Sequence, residues 1–248
     1  MSAKLFRLMA ISAILAGALA ATAAAQDFQK SYQLAAGGSI RIGNISGDVT
    51  VTGYDGNAVT VTGTKEGANP DVITIEDRST GSTVDIGVHY PNNCHNCDAS
   101  VQFKVQVPRS ISYNFDRLRS ISGDVSVSGV TGRVDASTVS GEVRVTDVAG
   151  SVSGKSVSGD VEVELTRLDG ADDMHFSTVS GDVSVKVPAA LDANVEMSSF
   201  SGSLDTTFPI QIQKDTFTTR QTATGQVGSG GRRLHISTIS GSVSLKQL

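Results

Sequence analysis

Two cysteines lie close together in the segment Cys94-His95-Asn96-Cys97, and the chain has no others. A pair at this spacing can form a local disulfide, hold a metal together with His89 or His95, or act as a thiol redox centre. The segment has no second cysteine pair, and no helix pattern follows Cys97 as a thioredoxin-like motif requires. In an exported chain these features favour a disulfide between Cys94 and Cys97, with a metal or redox module as the alternative.

A second set of chemically capable side chains is acidic and recurs at regular intervals. It consists of Asp124, Glu142, Asp160 and Asp182. Stacked carboxylates can bind Ca²⁺, and a suitably spaced pair can cleave glycosidic bonds. Calcium-binding repeats use more glycine at stricter spacing, and a chain without Trp has few rings to stack on sugars. A solvated acidic edge is therefore favoured, while Ca²⁺ binding and a carbohydrate-active β-helix enzyme stay open as alternatives.

The segment from Ala149 to Ser156 satisfies a loose phosphate-loop pattern, but its context is wrong. A phosphate loop needs a helix after it, and here the alternating strand pattern of Val161 to Leu165 follows. We therefore expect no nucleotide. His175 and His235 each precede a strand and lack partners for catalysis, so we interpret both as structural or exposed. No serine lies in a nucleophile-elbow context.

These residues belong to a repeat that is most regular between Ile121 and Leu165. One phrase recurs every nine residues, with the lead residues Ile121, Val130, Val139, Val148 and Val157. Its fuller form (apolar, Ser, Gly, acid, Val, any, Val) recurs every 18 residues, at Ser122, Ser140 and Ser158. Self-similarity at a short fixed period is typical of stacked repeat architectures.

Alternation of apolar and polar residues around the valines predicts short β-strands. A nine-residue period is odd, so strict alternation would invert inside and outside at each repeat unless a bend resets it. Glycine is the natural residue for that bend. The predicted structural glycines are Gly47, Gly123, Gly141, Gly159, Gly181, Gly202 and Gly241. The pattern favours a β-solenoid with two units per coil, or about 18–22 residues. An antiparallel sandwich or barrel is the rival.

The first 25 residues resemble a secretory signal peptide. Lys4 and Arg7 precede the apolar stretch Leu8 to Leu19, and Ala23 to Ala25 offer a cleavage site. We therefore expect export to the periplasm, the cell surface or the medium. The formal net charge of −5 argues against nucleic acid or an anionic membrane as a partner.

No linker-like segment divides the rest of the chain, so residues 26–248 are predicted to form one domain. It would comprise irregular coils over 26–115, the regular repeat over 116–187 and less regular coils over 188–248. Open ends of a solenoid promote self-association unless they are capped. The N-terminal segment and Lys246-Gln247-Leu248 are the predicted caps.

Three segments in this order resemble the bacterial putative-adhesin family of β-strand-repeat proteins, a domain of unknown function. They are the segment from Gly43 to Gly56, the segment from Phe103 to Pro108, and the tandem repeats from Ser122 onward. The resemblance implies a right-handed, single-stranded β-solenoid in or outside the cell envelope. It brings no catalytic residues.

The sequence therefore predicts a non-enzymatic, exported adhesin or interaction scaffold without a cofactor. Its partner would be an unidentified protein or glycan of the envelope or the extracellular space, and self-association is also possible. The outward faces of the regular strands are the predicted contact surface.

Overall fold

A computed structural model describes residues 27–92, 97–216 and 218–248. The predicted signal peptide lies outside these ranges. The all-β prediction is confirmed: the described residues form twenty strands and one short 3₁₀ helix, Pro70–Val72, with no α-helix. The strands join into one sheet that wraps almost completely around a common apolar core.

The first ten strands are β1 Phe28–Tyr32, β2 Ser39–Gly43, β3 Val49–Tyr54, β4 Val59–Glu66, β5 Thr74–Asp77, β6 Thr83–His89, β7 Ser100–Pro108, β8 Ser112–Arg119, β9 Val125–Ser128 and β10 Thr131–Ser137. The other ten are β11 Val143–Lys155, β12 Val161–Arg167, β13 Met174–Ser180, β14 Val183–Val187, β15 Ala193–Ser201, β16 Leu204–Thr206, β17 Ile212–Lys214, β18 Gln221–Val227, β19 Arg232–Ser240 and β20 Val243–Gln247.

The middle of the chain stacks in parallel at the spacing of the longer repeat. Val143 of β11 is in register with Val125 of β9 on one side and with Val161 of β12 on the other. The later part of β11 pairs in parallel with β10, which pairs with β8. Each coil, from β8–β9 onward, thus supplies one strand to each of two faces.

The first face is formed by strands that mostly come directly after a Ser-Gly motif in the chain. Its strand order is β7-β3-β9-β11-β12-β14-β20-β16. The second face precedes them and has the order β6-β2-β8-β10-β11-β13-β19-β15. The coil of β2 and β3 therefore lies between the coil of β6 and β7 and the coil of β8 and β9. The last coil, β19 and β20, lies between β13–β14 and β15–β16.

Two sequence-based predictions about the C-terminal end are therefore wrong. The Ser-Gly motifs at Ser201 and Ser240 are 39 residues apart, an interval that by itself predicts two successive coils, but the two motifs are adjacent in register. The final residues do not cap the stack, because Lys246 and Gln247 pair with β14 inside it. Insertion gives the last coil hydrogen-bond partners on both sides, which an end position would not.

Antiparallel strands extend both ends of the stack. β4 pairs with β7 and β1 pairs with β4 at one end, while β18 pairs with β15 and β17 pairs with β18 at the other. These strands provide partners for backbone groups that would otherwise form open parallel edges.

The core is made mostly of valine and isoleucine, with a few rings at intervals. Val143, Val145 and Val161 are at most 1% exposed, and the largest fully buried side chains include Tyr113 and Phe176. Full burial of one such aliphatic side chain contributes about 1.5–3 kcal/mol. Because every coil supplies several, the core needs no Trp.

Candidate interaction surface at the Ser-Gly corners

The two faces meet at a five-residue corner that recurs in seven coils. In Thr138-Val139-Ser140-Gly141-Glu142 the threonine is 4% exposed, and its Oγ1 donates a 2.8 Å hydrogen bond to the carbonyl of Gly123 in the neighbouring coil. Gly141 has φ 153°, and a Cβ there would collide with that same carbonyl. The corner therefore needs a buried hydroxyl at its first position and glycine at its fourth.

The equivalent first residues of the other corners all face inward. One is Asn44, whose Nδ2 donates hydrogen bonds to the carbonyls of Gly47 and Val101. The other five carry hydroxyl groups that donate to a glycine carbonyl of a neighbouring coil: Ser120, Ser156, Thr178, Ser199 and Thr238. The nine-residue phrase does not reveal this position, because the phrase begins at the apolar residue that follows it. The signal was available, since every copy of the Ser-Gly motif has Ser, Thr or Asn two residues before its serine.

The second residue of each corner is apolar and points outward, because side chains alternate along extended backbone. We call these seven side chains the apolar ridge. Their exposed fractions, in stack order, are Ile45 37%, Ile121 49%, Val139 44%, Val157 44%, Val179 42%, Ile239 55% and Phe200 55%.

The ridge is continuous because the corners are joined by backbone hydrogen bonds. The Ser140 N–H donates to the Ile121 carbonyl at 2.8 Å, and the Ser158 N–H donates to the Val139 carbonyl at 2.8 Å. Neighbouring ridge side chains therefore stand about 4.8 Å apart. Single exposed valines need no explanation, but contiguous exposed apolar surface marks interaction sites.

Along one half of the ridge runs a groove of about 630 Å³. Its apolar wall contains Ile45, Ile121, Val139 and Val157. We call the four cations that line the same groove, Arg78, Arg117, Arg119 and Lys155, the basic wall. The groove thus combines hydrocarbon surface and positive charge, and none of its lining residues is acidic.

Only one cation of the basic wall is neutralised by a neighbour. Arg78 forms ion pairs with Glu76 at 2.8 Å and Asp85 at 3.2 Å. Among the ion pairs of the described residues, none involves Arg117, Arg119 or Lys155, and all three are exposed. These three side chains are therefore available to an anionic ligand.

The predicted acidic column exists, and three of its four members hold neighbouring backbone groups. Asp124 Oδ1 accepts the Glu142 N–H at 2.8 Å, and Asp160 Oδ1 accepts the Asp182 N–H at 2.8 Å. Asp182 Oδ1 accepts the Ser242 N–H at 2.7 Å. Glu142 instead pairs with Arg144. Within residues 27–92, 97–216 and 218–248 there is no group of three or more metal-binding side chains. The solvated acidic edge stays the prediction for these residues, with Ca²⁺ binding as its alternative.

The structure places all seven predicted glycines in one column at the corners. Each would direct a Cβ at the backbone of the next coil, and six of them have positive φ: Gly47, Gly123, Gly141, Gly159, Gly181 and Gly241. In Gly202, the seventh, a Cβ would collide with the Gly241 carbonyl.

The remaining predicted sites are dispersed. Cys97 lies just before β7, but Cys94 falls outside the described residues, so their disulfide stays a prediction. The segment from Ala149 to Ser156, which matches the phosphate-loop pattern, lies mostly within β11, and the strand β12 follows it. Arg144 and Glu162 are 18 residues apart and form an ion pair between neighbouring coils, with Nε and Oε2 3.0 Å apart.

His175 and His235, which are 60 residues apart in the sequence, lie side by side on β13 and β19. Their rings stack with centroids 4.8 Å apart, and His235 Nδ1 lies 3.4 Å from Glu196. Burial lowers the pKa of His175, and the nearby His235 and Lys155 lower it further. The signal was their equal offset, since each histidine precedes the serine of its Ser-Gly motif by five residues.

An all-β stack with recurring Ser-Gly corners and an exposed apolar ridge defines a repeat scaffold. Residues 98–246 match the family model described as Toastrack DUF4097. The chain therefore belongs to this family, and the resemblance inferred from the sequence is confirmed. No curated protein matches the chain. Among the described residues no helix is long and apolar enough to cross a membrane.

Three solved structures are similar over most of their length. A putative cell adhesion protein from Clostridium sporogenes ATCC 15579 is 13% identical with a TM-score of 0.42, covering 89% of this chain and 99% of that one. A putative adhesin from Bacteroides fragilis NCTC 9343 is 11% identical with a TM-score of 0.40, covering 89% and 96%. A putative lipid binding protein from Parabacteroides distasonis ATCC 8503 is 14% identical with a TM-score of 0.25, again covering 89% and 96%. At this similarity they carry no argument about function.

Proposed function

We propose that the protein is a non-enzymatic interaction scaffold of the bacterial cell envelope, and that the apolar ridge is its contact surface. The observation that carries this proposal is the ridge itself, in which seven adjacent coils each expose an apolar side chain at the same corner. Exposing one such side chain has no consequence, but a contiguous row costs solubility unless a partner covers it.

Placement in the envelope is part of the same proposal. The N-terminal Lys4, Arg7 and apolar stretch support export, and a disulfide between Cys94 and Cys97 would suit an oxidising compartment. Mass spectrometry of the protein recovered from a bacterial host expressing all 248 residues tests this. A mature N-terminus at Gln26 and a mass two hydrogens below the reduced value would support it. A retained Met1 with two alkylatable thiols would contradict it.

We further infer that the coils wind right-handed as a single-stranded β-solenoid. Parallel register at 18-residue spacing supports a solenoid, and strand crossovers between parallel strands are right-handed in nearly all proteins. A crystal structure would test the hand directly, and a left-handed path from β9 to β11 would contradict it.

The contact role is tested with purified residues 26–248, which include every described strand. Saturable binding to envelope fractions should fall at least tenfold in the double variant V139D/V157D. The melting temperature should change little, because both side chains are exposed. The matched control is T50D/S126D, which places the same charges on outward positions of β3 and β9. Equal binding by both double variants and the unmodified protein would overturn the proposal.

A further inference from the structure

Apolar side chains and positively charged side chains line one groove in this molecule. The first half of the apolar ridge, from Ile45 to Val157, and the basic wall both line this groove. Its volume of about 630 Å³ lies within the range of small-molecule sites. With coils about 4.8 Å apart, the four ridge side chains extend over about 14 Å, which suits a linear ligand.

The charge of the groove differs in sign from that of the whole molecule. The chain carries a formal charge of −5, yet this groove is lined by four cations and no carboxylate. Of the carboxylates nearby, Asp116 lies 3.5 Å from Arg41, and Glu76 and Asp85 hold Arg78. Asp135, on the neighbouring strand β10, does not line the groove. Arg117, Arg119 and Lys155 therefore have no anionic neighbour within ion-pair distance among the described residues.

The two walls select for a particular ligand chemistry. Guanidinium groups bind carboxylate or phosphate oxygens through two parallel N–H donors, and a lysine adds a mobile point charge. The ridge presents only branched hydrocarbon, which favours an alkyl chain over a polar one. An acidic peptide would satisfy the cations but leave the ridge beside polar backbone groups.

We propose that the groove binds a single-chain anionic amphiphile, with its carboxylate or phosphate head at Arg117, Arg119 and Lys155 and its alkyl chain along the ridge. This inference rests on the proposed contact role of the ridge and names the ligand class for one half of it. The other half, from Val179 to Phe200, lies beyond the basic wall.

The test measures displacement of a fluorescent fatty acid from purified residues 26–248, below the critical micelle concentrations. Dodecanoate and dodecyl phosphate are the two anionic competitors, and dodecyl maltoside is the neutral competitor of the same chain length. We expect at least one anionic competitor to bind tenfold or more tightly than the neutral one. The ratio between dodecanoate and dodecyl phosphate distinguishes a fatty-acid source from a phospholipid source.

Variants separate the two walls. R119Q/K155Q should weaken binding of the anionic competitor at least tenfold and leave the weak binding of dodecyl maltoside unchanged. R133Q/K104Q, which removes two exposed cations outside the groove, is the matched control. V139S/V157S should weaken binding of both kinds of competitor, because it removes the hydrocarbon contact.

The outcomes distinguish this inference from the proposed function. Equal affinity for neutral and anionic competitors, or unchanged binding by R119Q/K155Q, would overturn the inference. If the amphiphile inference failed in this way but V139D/V157D lost envelope binding, the proposed contact role of the ridge would still be supported. Tight anionic binding together with unaffected envelope binding by V139D/V157D would support the groove and overturn the proposed function.

Discussion

The two most regular coils, which begin at Ile121 and Val139, each turn at two corners with similar sequences whose lead side chains point in opposite directions. At the Ser-Gly corner the apolar lead residue is exposed, as in Ile121 at 49% and Val139 at 44%. At the opposite corner, nine residues later, the lead residue is buried, as in Val130 at 2% and Val148 at 0%. One repeated phrase therefore supplies both the core and the apolar ridge.

The residue before the lead residue explains the difference. Val130 follows Gly129 at φ 65°, and Val148 follows Asp147 at φ 52°, so a left-handed residue turns the next side chain inward. Asp adopts this conformation more readily than most non-glycine residues. Before Val139 stands Thr138, whose buried hydroxyl holds extended backbone and leaves the valine outward. The structural unit is thus the 18-residue coil, and the nine-residue units are not equivalent.

The largest effect is expected from Gly141→Ala, which breaks the Ser-Gly corner. The new Cβ would meet the Gly123 carbonyl in a backbone conformation that alanine rarely adopts. We expect a loss of roughly 2–5 kcal/mol in the free energy of unfolding, measured by urea denaturation. Gly170→Ala is the control, because Gly170 has φ 75° but nothing within 4 Å of its added Cβ. Equal losses in both variants would show that the close approach is unimportant.

The next largest effect compares the two corners directly. Val148→Ala removes buried methyl groups and should cost roughly 2 kcal/mol of unfolding free energy. Val157→Ala makes the same chemical change on the ridge and should stay within about 0.5 kcal/mol. Thermal denaturation of both variants provides the measurement. If Val157→Ala proved as costly as Val148→Ala, the ridge would have to be covered in the isolated protein.

A smaller effect is expected from Thr138→Val, which keeps the side-chain shape but removes the corner hydroxyl. The Gly123 carbonyl loses the 2.8 Å hydrogen bond, so the free energy of unfolding should fall by about 1–2 kcal/mol. Thr52→Val is the matched control on an exposed strand position. A variant as stable as the unmodified protein would remove the hydroxyl from the explanation of the corner.

The smallest effect is a pH dependence at the strand that leads to the Val179 corner. Because folding lowers the pKa of His175, protonation favours the unfolded state. Stability is unaffected above the ordinary histidine value of 6.5, and it falls as pH drops below that value toward the lowered pKa of the folded state. Below that lowered pKa the loss is complete, because both states are then protonated.

His175→Gln should flatten this part of the profile, measured as unfolding free energy between pH 7.5 and 5. His89→Gln, which changes a histidine on β6 at the far end of the stack, is the control and should keep the original profile. The imidazole of His235 and the charges of Lys155 and Glu196 complete the local environment. An unchanged slope in H175Q would assign the acid sensitivity to other groups.

Much of the fold could be predicted because the repeat is a local signal. Alternation around Val143 and Val161 predicts strands, and their 18-residue interval predicts their parallel register. The 39-residue interval between Ser201 and Ser240 predicts the wrong order of coils, because spacing along the chain does not determine which strands pair. The candidate site was less predictable. Arg78 and Lys155 are 77 residues apart in the sequence, and only the stacking of the coils places both in the lining of one groove.

The sequence by itself determined the regular strands and the glycine column, because both follow from residues within one repeat. It also determined the family, through three segments that follow one another in a fixed order. Only the tertiary structure decided that Val139 is exposed while Val148 is buried, since a buried hydroxyl and a left-handed aspartate orient them. It also decided that both early and late coils insert into the stack. Their backbone groups gain partners on both sides there, and that preference is set by contacts between distant segments rather than by local pattern.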